Sequence, residues 1–349
     1  MHHVERMIEF EFVRATENAA LTAIHWLGRG EKEKGDAAAC DAIYGVFDLM
    51  NIRGEVVIGE GIKDDAPGIF LGEKLGTWRA GSPKFDIALD PIDGTTNLSK
   101  GLPNSISVIA AAQVPDEFDH VMKNITSFYC HKMAYGPAVV KALKKGLFTH
   151  IDLDTPIKDV LKLVAEATGK RIHEVVVCVL DRPRNKKFVD EIRAEGAALR
   201  MISDGDITAA VAPALPDSGA DLYVGIGGTP EGILAAAALK CLGGEIQMRV
   251  WPRDEEEAKA IKKTMSAKDI KKTYHAEDLV IGDSSIFCAT GISDSPLLPG
   301  VKLIGNTATT HSILMRAHSR TVRYIRAVHN FDHKTIRLRS DRKEHALTT

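Results

Sequence analysis

The segment DPIDGTTN, residues 90–97, places two carboxylates three residues apart at the end of a short apolar strand predicted over residues 87–89. Because proline fixes the chain between Asp90 and Asp93, both carboxylates can face one centre, to which the carbonyl of Ile92 can add a ligand. Oxygen ligands of this kind are those that Mg²⁺ and Mn²⁺ prefer. An acidic turn without a metal is the alternative, and the fixed spacing favours a metal site.

The two residues that follow these acids add a group that can move a proton. Gly94 permits a tight turn, after which Thr95 is directed back towards the same centre. A hydroxyl beside a carboxylate and a bound water can orient and deprotonate that water. Two metal ions roughly 4 Å apart would then bind the attacking and leaving oxygens of an in-line phosphoryl displacement.

Three other stretches also carry a carboxylate beside glycine or proline at the end of an apolar run. They are IGEG with Glu60, SDGD with Asp204 and Asp206, and GGTPEG with Glu231. Each of them singly is typical of a turn. They recur, however, in a chain without a His/Cys cluster of zinc spacing. For the three stretches together, a site for a hard cation and a set of simple turns are therefore equally favoured.

Basic groups for phosphate binding occur in DRPRN, which follows the apolar strand EVVVCVL and contains Arg182 and Arg184. The planar guanidinium group binds a phosphate through two parallel hydrogen bonds, although two cations at a strand end are also typical of a solvated surface. The segment GIGGTPEG places backbone N–H groups at a predicted helix start, where an anion can bind. It lacks the pattern of a P-loop.

The composition excludes several classes of protein. The 349 residues are 44% hydrophobic and 26% charged, with a net charge of −2, so nucleic acid is not expected as the main partner. No apolar run reaches the roughly 20 residues of a membrane span, and the N-terminus lacks a signal-peptide pattern, so we expect a cytoplasmic protein. The five cysteines form no C-x-x-C pair and are predicted to be reduced, buried side chains.

The hydrophobic pattern predicts two αβ domains, over residues 1–150 and 151–330, followed by a polar tail over residues 331–349. Helices are predicted over residues 9–28 and 36–50, the second with Gly35 as a turn and Asp36 as its N-cap; strands are predicted over residues 55–61, 85–90 and 105–114. Beyond residue 150 helices and strands alternate, and the functional loops are expected at the carboxyl ends of the strands.

Taken together, the stretches resemble the class II (GlpX-type) fructose-1,6-bisphosphatases, members of the lithium-sensitive, metal-dependent phosphatase superfamily. The matching segments run from about residue 10 to residue 329 and include GEVVIGEGIKDDAP, DPIDGTTNLSKGLPNSISVIA, FYCHKMAYGP, VLDRPRN, RMISDGD and GIGGTPEGILAAAALKCLGG. The superfamily's W-D-x-A-A-G-like motif is missing, since Trp251 is followed by Pro252. The resemblance implies a layered αβαβα sandwich of the fructose-1,6-bisphosphatase/inositol monophosphatase type, assembled as a homodimer or homotetramer.

The resemblance also implies an activity: metal-dependent hydrolysis of the 1-phosphate of fructose 1,6-bisphosphate, giving fructose 6-phosphate and phosphate. It implies metal ligands, for Mg²⁺ or Mn²⁺, at Asp36, Glu60, Asp90, Ile92, Asp93 and Glu231. Catalytic roles fall on Thr95, Asp36 and Glu60. Substrate contacts fall on Asp93, Gly94, Thr95, Tyr129, Arg182, Pro183, Arg184, Asp204, Gly205, Asp206 and Gly228.

Three positions depart from the family's pattern. Many members have Glu at the position of Asp93, Ile62 replaces a common Glu, and Asn185 stands where His often follows the Arg-Pro-Arg. The first two departures concern the metal site, and the third concerns substrate preference. A sedoheptulose-1,7-bisphosphatase or a dual-function bisphosphatase is the alternative within the class. A phosphosugar-binding protein without activity is disfavoured, because Thr95 and the five carboxylate ligands are all present.

Overall fold

A computed structural model describes residues 5–59, 69–146, 150–339 and 344–346 of the chain. The chain divides into two compact units: Met1–Met122 with Gly282–Thr349, and Lys123–Ile281. The division differs from the expected one near residue 150. The strand over Tyr129–Tyr135 pairs inside the sheet of the second unit, and the strands over residues 285–330 return to the sheet of the first.

Helices and strands alternate along most of the described chain. The helices are α1 (Glu5–Ala23), α2 (Lys32–Phe47), α3 (Thr95–Lys100), α4 (Pro137–Lys144), α5 (Ile157–Thr168), α6 (Lys186–Ala194), α7 (Asp206–Val211), α8 (Thr229–Leu242), α9 (Glu255–Thr264), α10 (Ala267–Lys271) and α11 (Ala276–Leu279). The strands are β1 (Arg53–Ile58), β2 (Lys74–Leu75), β3 (Lys84–Asp93), β4 (Ile106–Gln113), β5 (Tyr129–Tyr135), β6 (Val176–Leu180), β7 (Ala198–Ile202), β8 (Leu222–Gly228), β9 (Glu245–Val250), β10 (Tyr274–His275), β11 (Ser285–Gly291), β12 (Lys302–Ile304), β13 (Thr307–Arg316), β14 (Thr321–Asn330), β15 (Thr335–Arg337) and β16 (Glu344–Ala346).

The first unit contains a mixed sheet in the order β12-β13-β11-β4-β3-β1-β2, with β14 paired to β13. Only the β1–β3 pair is parallel among the pairs of this sheet in the described residues. The strand β3, with the sequence KFDIALDPID, lies inside the sheet and is buried along most of its length. The ring of Phe12 from α1 packs against Phe47 of α2 and Phe85 of β3, with centroids 6.0 and 6.2 Å apart.

The second unit contains a mixed sheet in the order β10-β9-β5-β8-β6-β7. The strand β6 is parallel to both β7 and β8, whereas β5 is antiparallel to β8 and β9. The helix α8 is buried along most of its length, because its alanine-rich sequence ILAAAALKCL is apolar on every side. The mixed α/β class predicted from the sequence is confirmed, with one mixed sheet in each unit.

Two local predictions were wrong. The helix α2 begins at Lys32, so Gly35 and Asp36 lie inside it rather than at its start. A side chain at Gly35 would lie 2.8 Å from Leu98 and 3.3 Å from Trp26, so this glycine permits close helix packing rather than a turn. The first helix ends at Ala23, five residues earlier than predicted, and a 3₁₀ turn follows it.

The segment after Asn330 is more tightly packed than its polar sequence indicates. Phe331 and Ile336 are buried against Leu21 and Ala42 of the first two helices. At its end, Arg339 donates to Asp48 at 2.6 Å. Residues 331–339 therefore belong to the packed part of the first unit.

Two other sequence expectations can be compared directly with the described residues. All five cysteines are buried and free of disulfide bonds, as predicted. Within the described ranges, no helix combines the length and the apolar character needed to cross a membrane.

Candidate active site

The carboxyl end of β3 positions the first pair of acidic residues. The pairing of β3 with β4 is regular up to Asp90 and resumes at Asp93, with a register shift between them. Inside this irregularity the backbone N–H of Ile92 donates to Oδ1 of Asp90 at 3.0 Å. The strand end therefore bends at the proline, and the two acids are placed on a rigid, hydrogen-bonded segment of the sheet.

The predicted tight turn at Gly94 is confirmed. Gly94 has a φ of +93°, and a side chain there would collide with the carbonyl of Asn104. The hydroxyl of Ser105 donates to the carbonyl of Gly94 at 2.9 Å. Both the left-handed conformation and the close approach of Asn104 require glycine, and they make Thr95 the first residue of α3.

The other predicted ligand of the first unit that the structure describes, Asp36, lies buried in the second turn of α2. The contact of Gly35 with Leu98 brings this part of α2 against α3, the helix that Thr95 begins. Glu60 and the substituted position Ile62 lie outside the described residues.

The predicted metal ligands are divided between the two units. Asp36, Asp90, Ile92 and Asp93 belong to the first, and Glu231 belongs to the second. Among the residues that the structure describes, no three His, Cys, Asp or Glu side chains form a group that could hold a metal ion. The ligand set therefore remains a prediction.

The two arginines of the second unit follow β6, as the sequence indicates. Arg182 forms an ion pair with Asp204, with the guanidinium nitrogen 3.4 Å from Oδ1. The guanidinium group of Arg184 lies 4.1 Å from the ring centroid of Tyr129, and its Nε donates to the carbonyl of Ile226 at 3.0 Å. Three predicted substrate contacts, Tyr129, Arg182 and Arg184, are thereby held by neighbours inside the second unit.

Asp206 lies in a buried ion pair that the residues around it in the sequence do not predict. Its Oδ2 accepts from Nζ of Lys132 at 2.6 Å and from the hydroxyl of Tyr223 at 2.8 Å. The sequence contains one indication of this pair. Lys132 lies in the mostly apolar strand YCHKMAY, and a lysine in such a strand requires a buried partner. The sequence does not show which of the many acids provides it.

Glu231 lies in the first turn of α8, and its carboxyl group folds back over the end of β8. A side chain at Gly228 would collide with this carboxyl group, which explains the glycine. Oε2 of Glu231 is buried and has no hydrogen-bond partner among the described residues. Burial raises the pKa of Glu231, the carboxylate of Asp206 adds to this, and Lys132 opposes it.

Asn185, where the family often has His, is fully buried beneath the arginine loop. Its amide nitrogen donates to the carbonyls of Leu180 and Ile226 at 3.0 and 3.2 Å, and its oxygen accepts from the N–H of Ile226 at 2.7 Å. A side chain at Gly225 would lie only 3.1 Å from this amide. Asn185 therefore joins the ends of β6 and β8 and fits the space between them closely.

Replacing Asn185 with alanine is expected to lower the free energy of unfolding by about 2–3 kcal/mol, because the buried N–H of Ile226 loses its acceptor and the carbonyls of Leu180 and Ile226 each lose one donor. Urea denaturation of the two proteins measures this difference. N185H is expected to destabilise the protein as well, because the larger ring does not fit beside Gly225. A loss below about 0.5 kcal/mol in N185A would contradict the structural role.

Nucleophilic catalysis by the cysteine next to Tyr129 is not supported. Cys130 is buried, its Sγ lies 3.2 Å from the hydroxyl of Thr229, and burial raises the pKa of its thiol to about 11. The thiolate, which is the nucleophilic form, is therefore disfavoured at neutral pH.

Comparison with known proteins assigns these residues to a family. The profile described as "Bacterial fructose-1,6-bisphosphatase, glpX-encoded" matches residues 6–329. The chain is 38% identical over 340 residues to the fructose-1,6-bisphosphatase class 2 of Haemophilus influenzae, an alignment that covers 94% of this chain and 98% of the relative. It is 37% identical over 342 residues to the fructose-1,6-bisphosphatase 1 class 2 of Escherichia coli K12, covering 95% and 97% of the two chains. The chain therefore belongs to the glpX-encoded, class 2 family of bacterial fructose-1,6-bisphosphatases.

Proposed function

We propose that this protein hydrolyses the 1-phosphate of fructose 1,6-bisphosphate to give fructose 6-phosphate and phosphate. The observation that carries the proposal is the Gly94 turn, which sets Asp90, Asp93 and Thr95 at a strand end in a chain that matches the family from residue 6 to residue 329. The fold that we propose is the layered αβαβα sandwich of the family, and the mixed sheet in each unit supports it.

The residues present fit a divalent cation such as Mg²⁺ or Mn²⁺. The buried Oε2 of Glu231, with no hydrogen-bond partner in the described part of the chain, is a carboxylate oxygen of the kind that these ions bind. The proposed ligands are Asp36, Glu60, Asp90, the carbonyl of Ile92, Asp93 and Glu231. When bound, the cations would neutralise charge that develops on the transferred phosphoryl group.

The protein's own groups then have separate roles. Thr95 would orient the attacking water and pass its proton to a carboxylate beside it as the water oxygen bonds to phosphorus. The bond from phosphorus to the sugar oxygen then breaks, and the sugar oxygen takes up a proton from solvent. Arg182 and Arg184 would bind the phosphate that remains on the sugar. Sugar hydroxyls would donate to Asp204 and Asp206. The remaining proposed substrate contacts are Asp93, Gly94, Tyr129, Pro183, Gly205 and Gly228.

The test is phosphate release from a panel of sugar phosphates with Mg²⁺ or Mn²⁺. We expect turnover of fructose 1,6-bisphosphate, loss of that turnover on chelation, and little release from inositol phosphate. Comparison with sedoheptulose 1,7-bisphosphate decides between a specific and a dual-function enzyme. Negligible turnover of both bisphosphates would overturn the proposal, and tight binding without turnover would indicate a phosphosugar-binding protein. We also propose that the protein assembles as a homodimer or a homotetramer. Light scattering in solution measures the mass of the assembly and so distinguishes the two.

A further inference from the structure

Lys132 is a cation buried in the centre of the second unit. Its side chain has no exposed surface, although lysine is among the residues least often buried. It lies on β5, between Gly225 of β8 and Met248 of β9 in the sheet. An ammonium group in such a place requires partners for its charge and its hydrogens.

The partners of Lys132 belong to two different loops of the candidate active site. Nζ donates to Oδ2 of Asp206 at 2.6 Å and to the carbonyl of Gly228 at 2.8 Å. Asp206 begins α7, and Gly228 ends β8 three residues before Glu231. A single side chain therefore fixes a proposed substrate-binding loop to the strand end that precedes a proposed metal ligand.

Two glycines leave space for this ion pair, and a tyrosine adds a hydrogen bond to its carboxylate. A side chain at Gly227 would lie 2.9 Å from Nζ of Lys132, and one at Gly232 would lie 3.0 Å from its Cδ. The hydroxyl of Tyr223 donates to the same oxygen of Asp206, and the ring of Tyr223 lies 5.8 Å from the ammonium group. Two glycines and one aromatic residue thus form a pocket around Lys132.

We propose that Lys132 is a positioning residue for substrate binding, which holds the carboxylate of Asp206 and the end of β8 in their working arrangement and compensates the buried charge of Asp206. The positioning role rests on the proposed function, because Asp206 is a proposed sugar contact. Lys132 acts through Asp206 and does not itself touch the substrate. Its removal should therefore weaken binding more than it slows the chemical step.

The experiment compares Lys132→Met with Lys170→Met. Lys170, whose side chain is partly exposed, pairs with the buried Asp221 at 2.7 Å just before β8 begins, at the end of the strand opposite to Gly228. K170M therefore breaks a lysine–carboxylate pair of the same unit away from the proposed site. Both variants should lose thermal stability. In K132M we expect KM for fructose 1,6-bisphosphate to rise by about 10- to 100-fold with kcat changed less, whereas in K170M both stay within about twofold. Calorimetric titration with fructose 6-phosphate should give the same difference in affinity.

A double variant separates positioning from simple stability. D206N in the K132M background should recover much of the lost thermal stability, because it removes the uncompensated carboxylate, and should leave binding weak. Tyr223→Phe, which removes only one donor to Asp206, should weaken binding in the same direction by about threefold to tenfold and provides the test should K132M fail to fold.

The outcomes separate the positioning role from the proposed function. If the wild-type protein hydrolyses the bisphosphate and K132M or Y223F binds fructose 6-phosphate as K170M does, the positioning role is wrong while the function stands. If the wild-type protein neither hydrolyses the bisphosphate nor binds fructose 6-phosphate, the proposed function fails and the positioning role fails with it.

Discussion

Replacing Glu231 with glutamine is expected to lower kcat for fructose 1,6-bisphosphate by at least about 10³-fold, because loss of one charged ligand weakens the metal site that stabilises the transition state. Inside the second unit, the charge of Lys132 favours the ionised form of Glu231. Its Oε2 is buried without a hydrogen-bond partner among the described residues, and a side chain at Gly228 would collide with its carboxyl group. A carboxylate held in this way costs stability unless a cation binds to it.

The same substitution is therefore expected to maintain or raise the thermal stability of the metal-free protein, although it removes a residue of the candidate active site. In the absence of divalent metal, E231Q should unfold at a temperature equal to or higher than that of the wild-type protein, because it removes a buried charge. Adding Mn²⁺ should raise the unfolding temperature of the wild-type protein, and should raise that of E231Q much less. Differential scanning fluorimetry with and without chelator measures both effects.

Asp221→Asn is the matched control for Glu231. Asp221 is also a buried acid beside β8, but it accepts from Lys170 at 2.7 Å and from the N–H of Val176 at 2.9 Å. D221N should lower the unfolding temperature and leave the response to Mn²⁺ and kcat nearly unchanged. Wild-type kcat in E231Q, or an equal response of the two variants to Mn²⁺, would remove Glu231 from the metal site.

The parts of the candidate site that the sequence predicts correctly depend on neighbours along the chain. The turn at Gly94 and the arginine loop after β6 each follow from a few adjacent residues, because a proline, a glycine and a strand end act on the backbone locally. The same reasoning failed at Gly35. There the glycine serves a contact with Leu98, a residue distant in the sequence, and local turn chemistry gives the wrong interpretation.

The supporting groups could not be predicted because their partners are distant in sequence. Lys132 pairs with Asp206, 74 positions away, and Asn185 bonds to Ile226, 41 positions away. A lysine in an apolar strand indicates that a buried acid exists, and a buried asparagine indicates that backbone groups need partners. Neither pattern identifies which acid or which backbone groups until the strands are placed side by side.

Replacing Thr95 with alanine is expected to lower kcat by about 10²–10⁴-fold with little change in KM, as loss of a group that transfers a proton does. Thr95 begins α3 directly after the Gly94 turn, whose conformation is fixed by Asn104 and Ser105, so removal of one methyl and one hydroxyl group should leave the turn intact.

T95S keeps the hydroxyl and should retain most of the activity, and T96A tests the effect of a similar truncation at the next position. Steady-state kinetics and Mn²⁺ titration of all three variants separate a loss of proton transfer from a loss of metal. If T95A keeps kcat within tenfold of the wild-type value, another group activates the water. If T95S is as inactive as T95A, the space around the side chain matters more than its hydroxyl.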